Sequence, residues 1–586
     1  MQLRKGQLDT FAVLALVLLF ALVLAPVPSS AFSFSSWFDD DDDSAGSGVG
    51  SDAQLKKTSS KSTYRDNLNV PVRQPLLDAD DWFLTEEEIT DSRGGVMRDG
   101  MAVYTTGNKV TSLTVTNEFF DATYDDLTST KEGDRVLLSA WEVSLVPLRP
   151  DIDPTGATTG VHQMVAGVVE RGGSFHIMGW SNILHRAINI EARDDINNIS
   201  ASALNGAKAL YIFDDRVRTM TSSHHQKTLV FAANSSSDKN EQPVAYVGGL
   251  DFTNDRWDTI YHNNSAIRDA AGITYERKGW IDAHVRIHGP AAKDVTSNFL
   301  ARWNSDYLPC QGLDDDLLDY ENPPYTKLPP LDYVSSNTTS SLGKQSVQIV
   351  RTFSCKYEHY KEFAPKGETS LFQARLKAIR NAKNYIYIED QYFILVPELL
   401  DALMEVMPTI QRVIVVVNVL EAKYQATGYG RYLYDMISPI VKAFPNKFNA
   451  YTLKQELNLY IHSKVVIIDD VYLSVGSANW NRRGMTSDSE MDANINDNDR
   501  IESPDGVIVN KLARDFRIRK FQEMTGRGYD ELDSMTLPEA FSSFEAAASN
   551  GASILQHLEL SYHAWYALFF DSIRQQVDPQ DTCSSA

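Results

Sequence analysis

The sequence predicts an α/β protein of two tandem lobes, each a mixed sheet flanked by helices, related by pseudo-twofold symmetry. Three observations predict it. Strand-like and helix-like segments alternate, and several strand segments are apolar throughout, which implies sheets covered by helices. That rhythm occurs twice along the chain. Each occurrence contains a His-x-Lys triplet that opens an apolar strand and is followed by a second strand bearing a glycine turn.

In the first half, RVLLSAWEV reads as a buried strand, VHQMVAGVVERG as a helix and SFHIMGW as a strand. The alanine-rich stretch at 199–210 suggests another helix, and YIFDD, HQKTLVFAA and VAYVGGLDF read as further strands. In the second half, SLFQARLKAIRNA spaces its apolar residues at helical period. YIYIEDQYF is a strand, PELLDALMEVM a helix, RVIVVVNV a fully buried strand and YLYDMISPIVKAF a helix, with HSKVVIIDD and VYLSVGSAN as closing strands. A Pro-, Asp- and Ser-rich join separates the halves. The predicted organisation is a leader at 1–31, a spacer at 32–75, a first lobe at 76–330, a second lobe at 345–535 and a helical C-terminal extension at 536–586.

The leader has Arg4 and Lys5, an apolar run from Phe11 to Ala25, and small residues Ser29 and Ala31 before the expected cleavage point. This is the pattern of a secretory signal peptide; the alternative is an uncleaved anchor that tethers the protein to a membrane. The spacer, with its run of aspartates, offers too little apolar surface to offset the entropy of ordering. An oxidising compartment permits one disulfide among Cys310, Cys355 and Cys583, with Cys310–Cys355 favoured over a pairing with Cys583 in its polar tail; three free thiols are the equal alternative. Asn198, Asn234, Asn263 and Asn337 each open a glycosylation triplet. The chain of 586 residues carries a formal charge of −23, which disfavours nucleic acid as a partner. No residue cluster reads as a metal site, and no cofactor is expected.

The two triplets are His225 and Lys227 in SSHHQKTLVFAA, and His462 and Lys464 in LYIHSKVVIIDD. Side chains two apart on a strand share a face, so each His and Lys can face one cavity. The glycines that follow, Gly248 and Gly249 in one half and Ser477 after Gly476 in the other, would let backbone amides and Asn479 approach a bound anion. Phosphodiester cleavage needs a nucleophile at phosphorus and a proton for the leaving oxygen. Two imidazoles supply both near neutral pH, and two lysines with an amide offset the charge on the equatorial oxygens.

These segments resemble the phospholipase D superfamily, whose hallmark is a duplicated His-x-Lys-x4-Asp. The resemblance extends through GGLDFTNDRWDT, GWIDAHVRIHGP, YIYIEDQYF and IHSKVVIIDDVYLSVGSANWNRRGMTSDSE, over roughly residues 130 to 495. It implies a site between the lobes. It also implies catalytic roles for His225, Lys227, His462, Lys464 and Asp469, with His225 as nucleophile and His462 as acid. Asn479 is implied in substrate binding. Asp258 and Glu490 are implied as the carboxylates that orient the histidines. One departure stands out: lobe one has Ala232 where the pattern has Asp, and Asp251 stands where lobe two has Asn479. No C2, PX or PH module is recognised ahead of the lobes, so calcium dependence is not expected, and Trp257 and Trp280 are candidates to meet a lipid surface. The resemblance implies a phospholipid substrate at a membrane surface, hydrolysed to phosphatidic acid. The alternatives are a secreted nuclease or other phosphodiesterase on the same scaffold, and a lipid-binding pseudoenzyme impaired by Ala232.

Overall fold

The computed structural model describes residues 71–581 except 183–184, 200–205, 218–220, 233–242, 254, 274–278, 311–320, 331–341, 358, 420–426, 552 and 569–570. The expected leader, the spacer up to residue 70, Cys583 and the sequons at Asn234 and Asn337 lie outside the described residues. Asn198 and Asn263 are exposed.

Lobe one contributes β1 (Thr105–Leu113), β2 (Arg135–Ala140), β3 (Ser174–Trp180), β4 (Ala209–Asp214), β5 (Thr228–Ala232), β6 (Val244–Gly248), the short β7 (Gly279–Ile281) and β8 (His284–His288). Lobe two contributes β9 (Gln345–Thr352), β10 (Tyr385–Asp390), β11 (Arg412–Val417), β12 (Phe448–Leu453), the short β13 (Leu459–Ile461), β14 (Lys464–Ile468), β15 (Tyr472–Gly476) and β16 (Glu490–Asp497). A hairpin of β17 (Arg500–Glu502) and β18 (Ile508–Asn510) follows, then β19 (Leu555–His557).

The strand order is 4-3-2-5-6-8-1 in lobe one and 9-16-15-14-10-11-12-19 in lobe two, joined through β1 and β9. Apart from β19 at the edge of lobe two, the two halves match strand for strand. Strands β2, β3 and β4 are parallel, as are β10, β11 and β12. In both halves the next four neighbours run antiparallel. The parallel strands need crossovers, and helices Val161–Glu170 and Pro397–Val406 serve as two of them.

The apolar runs seen in the sequence are the central strands. Val413, Val415, Val416 and Val417 of β11 are fully buried, each worth about 1.5–3 kcal/mol relative to exposure. One core is shared between the lobes: Val230, Val247 and Val285 pack in the same cluster as Val465, Val475 and Ala493. Separate outer cores lie under the helices of lobe two and of lobe one. The shared core fixes how the lobes meet, and so fixes what their loops can build together.

The helix suggested at 199–210 falls mostly on residues 200–205, which lie outside the described residues; the helix described before it is Arg186–Asn197, which buries Ala192 and Ile196, and β4 has begun by Ala209. Three expectations are corrected. The C-terminal extension is not helical throughout, because β19 joins the sheet edge by pairing with β12 between the helices Leu537–Ala548 and Asp571–Val577. The spacer does not reach residue 75: Gln74 is buried and donates to Asp469 at 2.7 Å. The Cys310–Cys355 bond is not formed. Cys355 is disulfide-bonded, while Cys310 remains a thiol near Phe213 O. In addition, Trp82, Phe83 and Ile89 fall within the segment expected to be lobe one but pack in the outer core of lobe two.

Candidate active site

Each His-x-Lys segment is stitched to the other lobe. His224 forms a parallel bridge with Ser489, the His225 amide donates to Ser489 O at 2.9 Å, and the Ser489 amide donates to Ser223 O at 3.0 Å. In the other half, β13 pairs in parallel with β7, and the His462 amide donates to Ile281 O at 2.8 Å. These crossings bring a carboxylate of one lobe to the imidazole of the other. His225 Nδ1 lies 3.0 Å from both oxygens of Glu490 and 3.0 Å from Ser477 O. His462 Nδ1 lies 2.7 Å from Asp282 Oδ2. A carboxylate on Nδ1 holds the proton there and leaves Nε2 with its lone pair.

The lysines sit beside the rings. Lys227 Nζ donates to His225 O at 2.9 Å and lies 3.4 Å from Asp251 Oδ2. Lys464 Nζ donates to His462 O, and Gln391 Oε1 is 3.4 Å away. Both side chains are buried. Trp280 packs edge-on against His462, ring centroids 5.1 Å apart, and Arg256 lies 3.5 Å over the Trp280 ring. Asn479 Oδ1 is buried and has no hydrogen-bond partner among the described residues.

The four groups share one electrostatic field. Burial, then the charges of Lys227, Lys464 and His462, hold His225 well below the usual imidazole range. Burial, then Lys464, Arg256 and Lys227, do the same to His462. Burial also pulls the Lys464 ammonium down to about 8, against the opposing pull of Asp282 and Asp390. Burial pushes the Glu490 carboxyl well up. The cationic neighbours favour the uncharged imidazoles, whereas a phosphodiester anion beside them would favour imidazolium and ammonium.

The structure brings His225, Lys227, His462, Lys464 and Glu490 together, and re-assigns the rest. Asp258 does not touch a site histidine; it accepts from His262 Nδ1 at 2.7 Å, and Asp282 takes the place expected of it. Asp469, expected among the catalytic residues, bonds backbone amides and a glutamine instead of a site imidazole or ammonium. It accepts from the amides of Lys383, Asn384 and Tyr385 at 2.7–2.8 Å and from Gln74. The expected anion-binding amides are occupied: Gly249 N donates to Ala283 O at 3.1 Å, and Ser477 N donates to Met491 O at 3.0 Å. Ser477 Oγ donates to Glu490 at 2.5 Å. The glycines are there for close approach. A Cβ on Gly249 would lie 2.1 Å from Asp282 Oδ1, and one on Gly248 2.4 Å from Ala283 O. Trp257 and Trp280 are both buried, which removes them from a lipid surface.

Sequence reasoning missed Asp282, Arg256 and Gln391. A signal for Asp282 existed. Glu490 opens β16, the strand equivalent to β8, and Asp282 stands two residues before β8. Matching the halves strand by strand would have selected it over Asp258.

Comparison with known proteins agrees with this geometry. The family described as "Phospholipase D" matches residues 194–397, and "Cardiolipin synthase, PLD-like domain" matches residues 376–517. Phospholipase D alpha 2 of Oryza sativa subsp. japonica is 24% identical over 556 residues, covering 77% of this chain and 64% of that protein. Phospholipase D A of Dictyostelium discoideum is 26% identical over 376 residues, covering 52% of this chain and 27% of its own length. Phospholipase D gamma 3 of Arabidopsis thaliana is 31% identical over 207 residues, covering 29% and 23%. The chain thus spans less than two thirds of each of these relatives. Among solved structures, a phosphatidylserine synthase of Haemophilus influenzae Rd KW20 aligns over 66% of this chain and 82% of its own, with 14% identity and a TM-score of 0.43. Two family matches that between them take in both His-x-Lys segments, and a site built from those segments, lead to one conclusion: the chain belongs to the phospholipase D superfamily.

Proposed function

We propose that this protein is a secreted phosphodiesterase of the phospholipase D type, hydrolysing phosphatidylcholine-like lipids to phosphatidic acid and an alcohol. The observation that carries the reading is the reciprocal pairing of His225 with Glu490 and of His462 with Asp282, each across the lobe boundary. His225 Nε2 attacks phosphorus and the P–O bond to the head-group alcohol breaks. His462 in its imidazolium form gives its proton to the departing oxygen. The now neutral His462 takes a proton from water, whose oxygen attacks the phosphohistidine and releases phosphatidic acid and free His225. Lys227, Lys464 and Asn479 hold the equatorial oxygens. A primary alcohol can replace water in the second step and take the phosphatidyl group.

Ala232 does not weigh against activity. Its counterpart Asp469 bonds backbone amides at the foot of β10, away from the imidazoles. A secretory location is supported by the apolar run at 11–25 and by the disulfide at Cys355, which persists in oxidising compartments.

The test is incubation of purified protein with phosphatidylcholine vesicles and 1-butanol. Phosphatidylbutanol and phosphatidic acid are expected from the wild type and from neither His225→Ala nor His462→Ala. Cleavage of a single-stranded oligonucleotide with no lipid product would overturn the lipid reading in favour of a nuclease.

A further inference from the structure

Outside the site lies a buried chain of alternating charges. It starts at Asp258, whose Oδ2 accepts from His262 Nδ1 at 2.7 Å. His262 Nε2 faces Glu523 Oε1 at 3.7 Å. Glu523 Oε2 is 2.5 Å from Lys520 Nζ, and Lys520 Nζ is 2.9 Å from Glu389 Oε1. The side chains of Asp258, Glu523, Lys520 and Glu389 are fully buried, and that of His262 is 4% exposed. Glu389 also accepts from Tyr387 Oη at 2.8 Å and from Ser463 Oγ.

Ser463 is the middle residue of the second His-x-Lys triplet. Its amide and that of His462 both donate to Ile281 O, at 3.2 and 2.8 Å. Ile281 immediately precedes Asp282, the partner of the His462 ring. The chain of charges therefore ends on the single point where the His462 loop crosses the Asp282 loop. It reaches that point from lobe one, through the helix Lys511–Thr525, into β10 of lobe two.

Two further observations fit a positioning role. His262 has φ of 49°, a left-handed conformation that non-glycine residues adopt uncommonly; strain of this kind persists where the surroundings over-determine it. The first triplet has an anchor of the same type. Its middle residue, Gln226, accepts from Asn298 at 2.8 Å and Arg302 at 3.2 Å, and donates to Glu490 O at 3.2 Å. Arg302 and Arg216 in turn share the buried Asp214. Each triplet is thus held at its centre by a buried ionic cluster that also touches the segment carrying the opposite carboxylate.

We propose that the chain Asp258–His262–Glu523–Lys520–Glu389 acts through Ser463 to position the His462 imidazole for proton delivery, making these positioning residues for the reaction. The inference rests on the functional reading above, in which His462 is the acid. It makes a distinction that general loss of stability would not make. A leaving group that departs without a proton has little use for a well-placed acid. Choline is a poor leaving group and p-nitrophenol a good one.

Ser463→Ala removes one hydroxyl and leaves every charge in the chain paired. With phosphatidylcholine, kcat is expected to fall about tenfold, a fraction of what general acid catalysis supplies, while KM stays constant. With phosphatidyl-p-nitrophenol, the first-turnover burst of p-nitrophenol, which needs no acid, is expected to change less than twofold in rate; the later hydrolysis of the phosphohistidine, in which His462 activates water, is read separately. Ser463→Thr, which keeps the hydroxyl, is expected to restore most of the phosphatidylcholine rate, and His262→Gln to shift the two substrates in the same unequal sense. Equal losses in the phosphatidylcholine kcat and the p-nitrophenol burst rate, or no loss in either, would overturn the proposal. If the wild type turns over neither substrate, the functional reading fails by itself. The positioning claim is then decided by the rate at which diethyl pyrocarbonate modifies His462, mapped by mass spectrometry. A rate changed severalfold by Ser463→Ala supports it, and an unchanged rate sinks it.

Discussion

The two halves of the site present the same imidazole and ammonium groups on unequal supports. Lobe one sets Lys227 beside a carboxylate, Asp251, whereas lobe two sets Lys464 beside the neutral amide of Gln391. The loops beneath are tied with reversed polarity. Asp251, after β6, accepts from the Trp141 amide after β2 at 2.8 Å. In lobe two the carboxylate is Asp390 at the end of β10, and it accepts from the Trp480 amide after β15 at 2.9 Å. Moving the carboxylate across the junction leaves Asn479 at the position of Asp251, with a buried amide oxygen that no other described residue bonds. The foot of the sheet differs too, with Asp469 in one half and Ala232 in the other. The imidazole and ammonium groups are duplicated; the groups that hold the strands are not. Under the proposed function the first set is constrained at both places, and each lobe meets its packing needs in its own way.

The largest expected effect breaks the reciprocity of the carboxylates. Glu490→Gln and Asp282→Asn are both expected to lower kcat by roughly 10²- to 10⁴-fold, the range seen when an imidazole loses its tautomer or its general-catalytic role. They should fail at different steps. Glu490→Gln impairs His225, so a ³²P-labelled phosphatidyl substrate should leave little label on protein in a single turnover. Asp282→Asn impairs the acid and the activation of water, so a substrate with a good leaving group should load His225 and discharge slowly. Label accumulating in Glu490→Gln instead would exchange the assigned roles of the two histidines.

A smaller effect separates bracing from chemistry. Asp469→Ala strands three amide donors, those of Asn384 and Tyr385, which are buried, and of Lys383, which is partly buried. Partial rehydration leaves a cost of about 2–4 kcal/mol, given ~1–3 kcal/mol for each unsatisfied group. Thermal unfolding should report that loss, while kcat per folded molecule stays within about twofold, since no reacting group moves. The reverse exchange, Ala232→Asp, places a carboxylate at a position 1% exposed. It is expected to destabilise the protein without raising kcat. An increase in kcat would mean that lobe one lacks a catalytic group after all.

The legible part of this protein was the part written locally. VIVVV declares β11, and two His-x-Lys triplets ahead of apolar strands declare the reacting groups, because side-chain period and apolar run are short-range signals. What the sequence withheld was pairing at long range. His462 meets Asp282 across 180 residues, and His225 meets Glu490 across 265. Asp258 was the plausible alternative because a carboxylate beside Arg256 and Trp257 carries no mark of which histidine it faces. Gly249 and Ser477 misled in the same way. A glycine or serine after a strand reads as an anion cradle, yet here both bond the opposite strand and make room for the carboxylates. The β19 strand hid inside a helical-looking tail because its three residues are chosen by the open edge of β12, not by their own composition.

The smallest expected effect uses pH to compare the lysines. Burial brings Lys464 down to about 8 in the free protein. The pH profile of kcat/KM reports the free enzyme, so its basic limb is expected near pH 8. Lys464→Arg, charged throughout the accessible range, should lose that limb even if its rate is lower. Stability responds with the opposite sign. The unfolded chain keeps the lysine proton to about pH 10.4, while the folded protein releases it near 8, so between these values the unfolded state binds more protons. Stability contributed at this residue therefore rises with pH across that window. The difference in unfolding midpoint between wild type and Lys464→Met should shift in favour of the wild type from about pH 7 to 9.5, in the direction that linkage requires. Activity falling while this difference moves the other way identifies the ammonium, and not unfolding, as the cause. If both fall together, the basic limb belongs to another group and the two lysines are not distinguished by their neighbours.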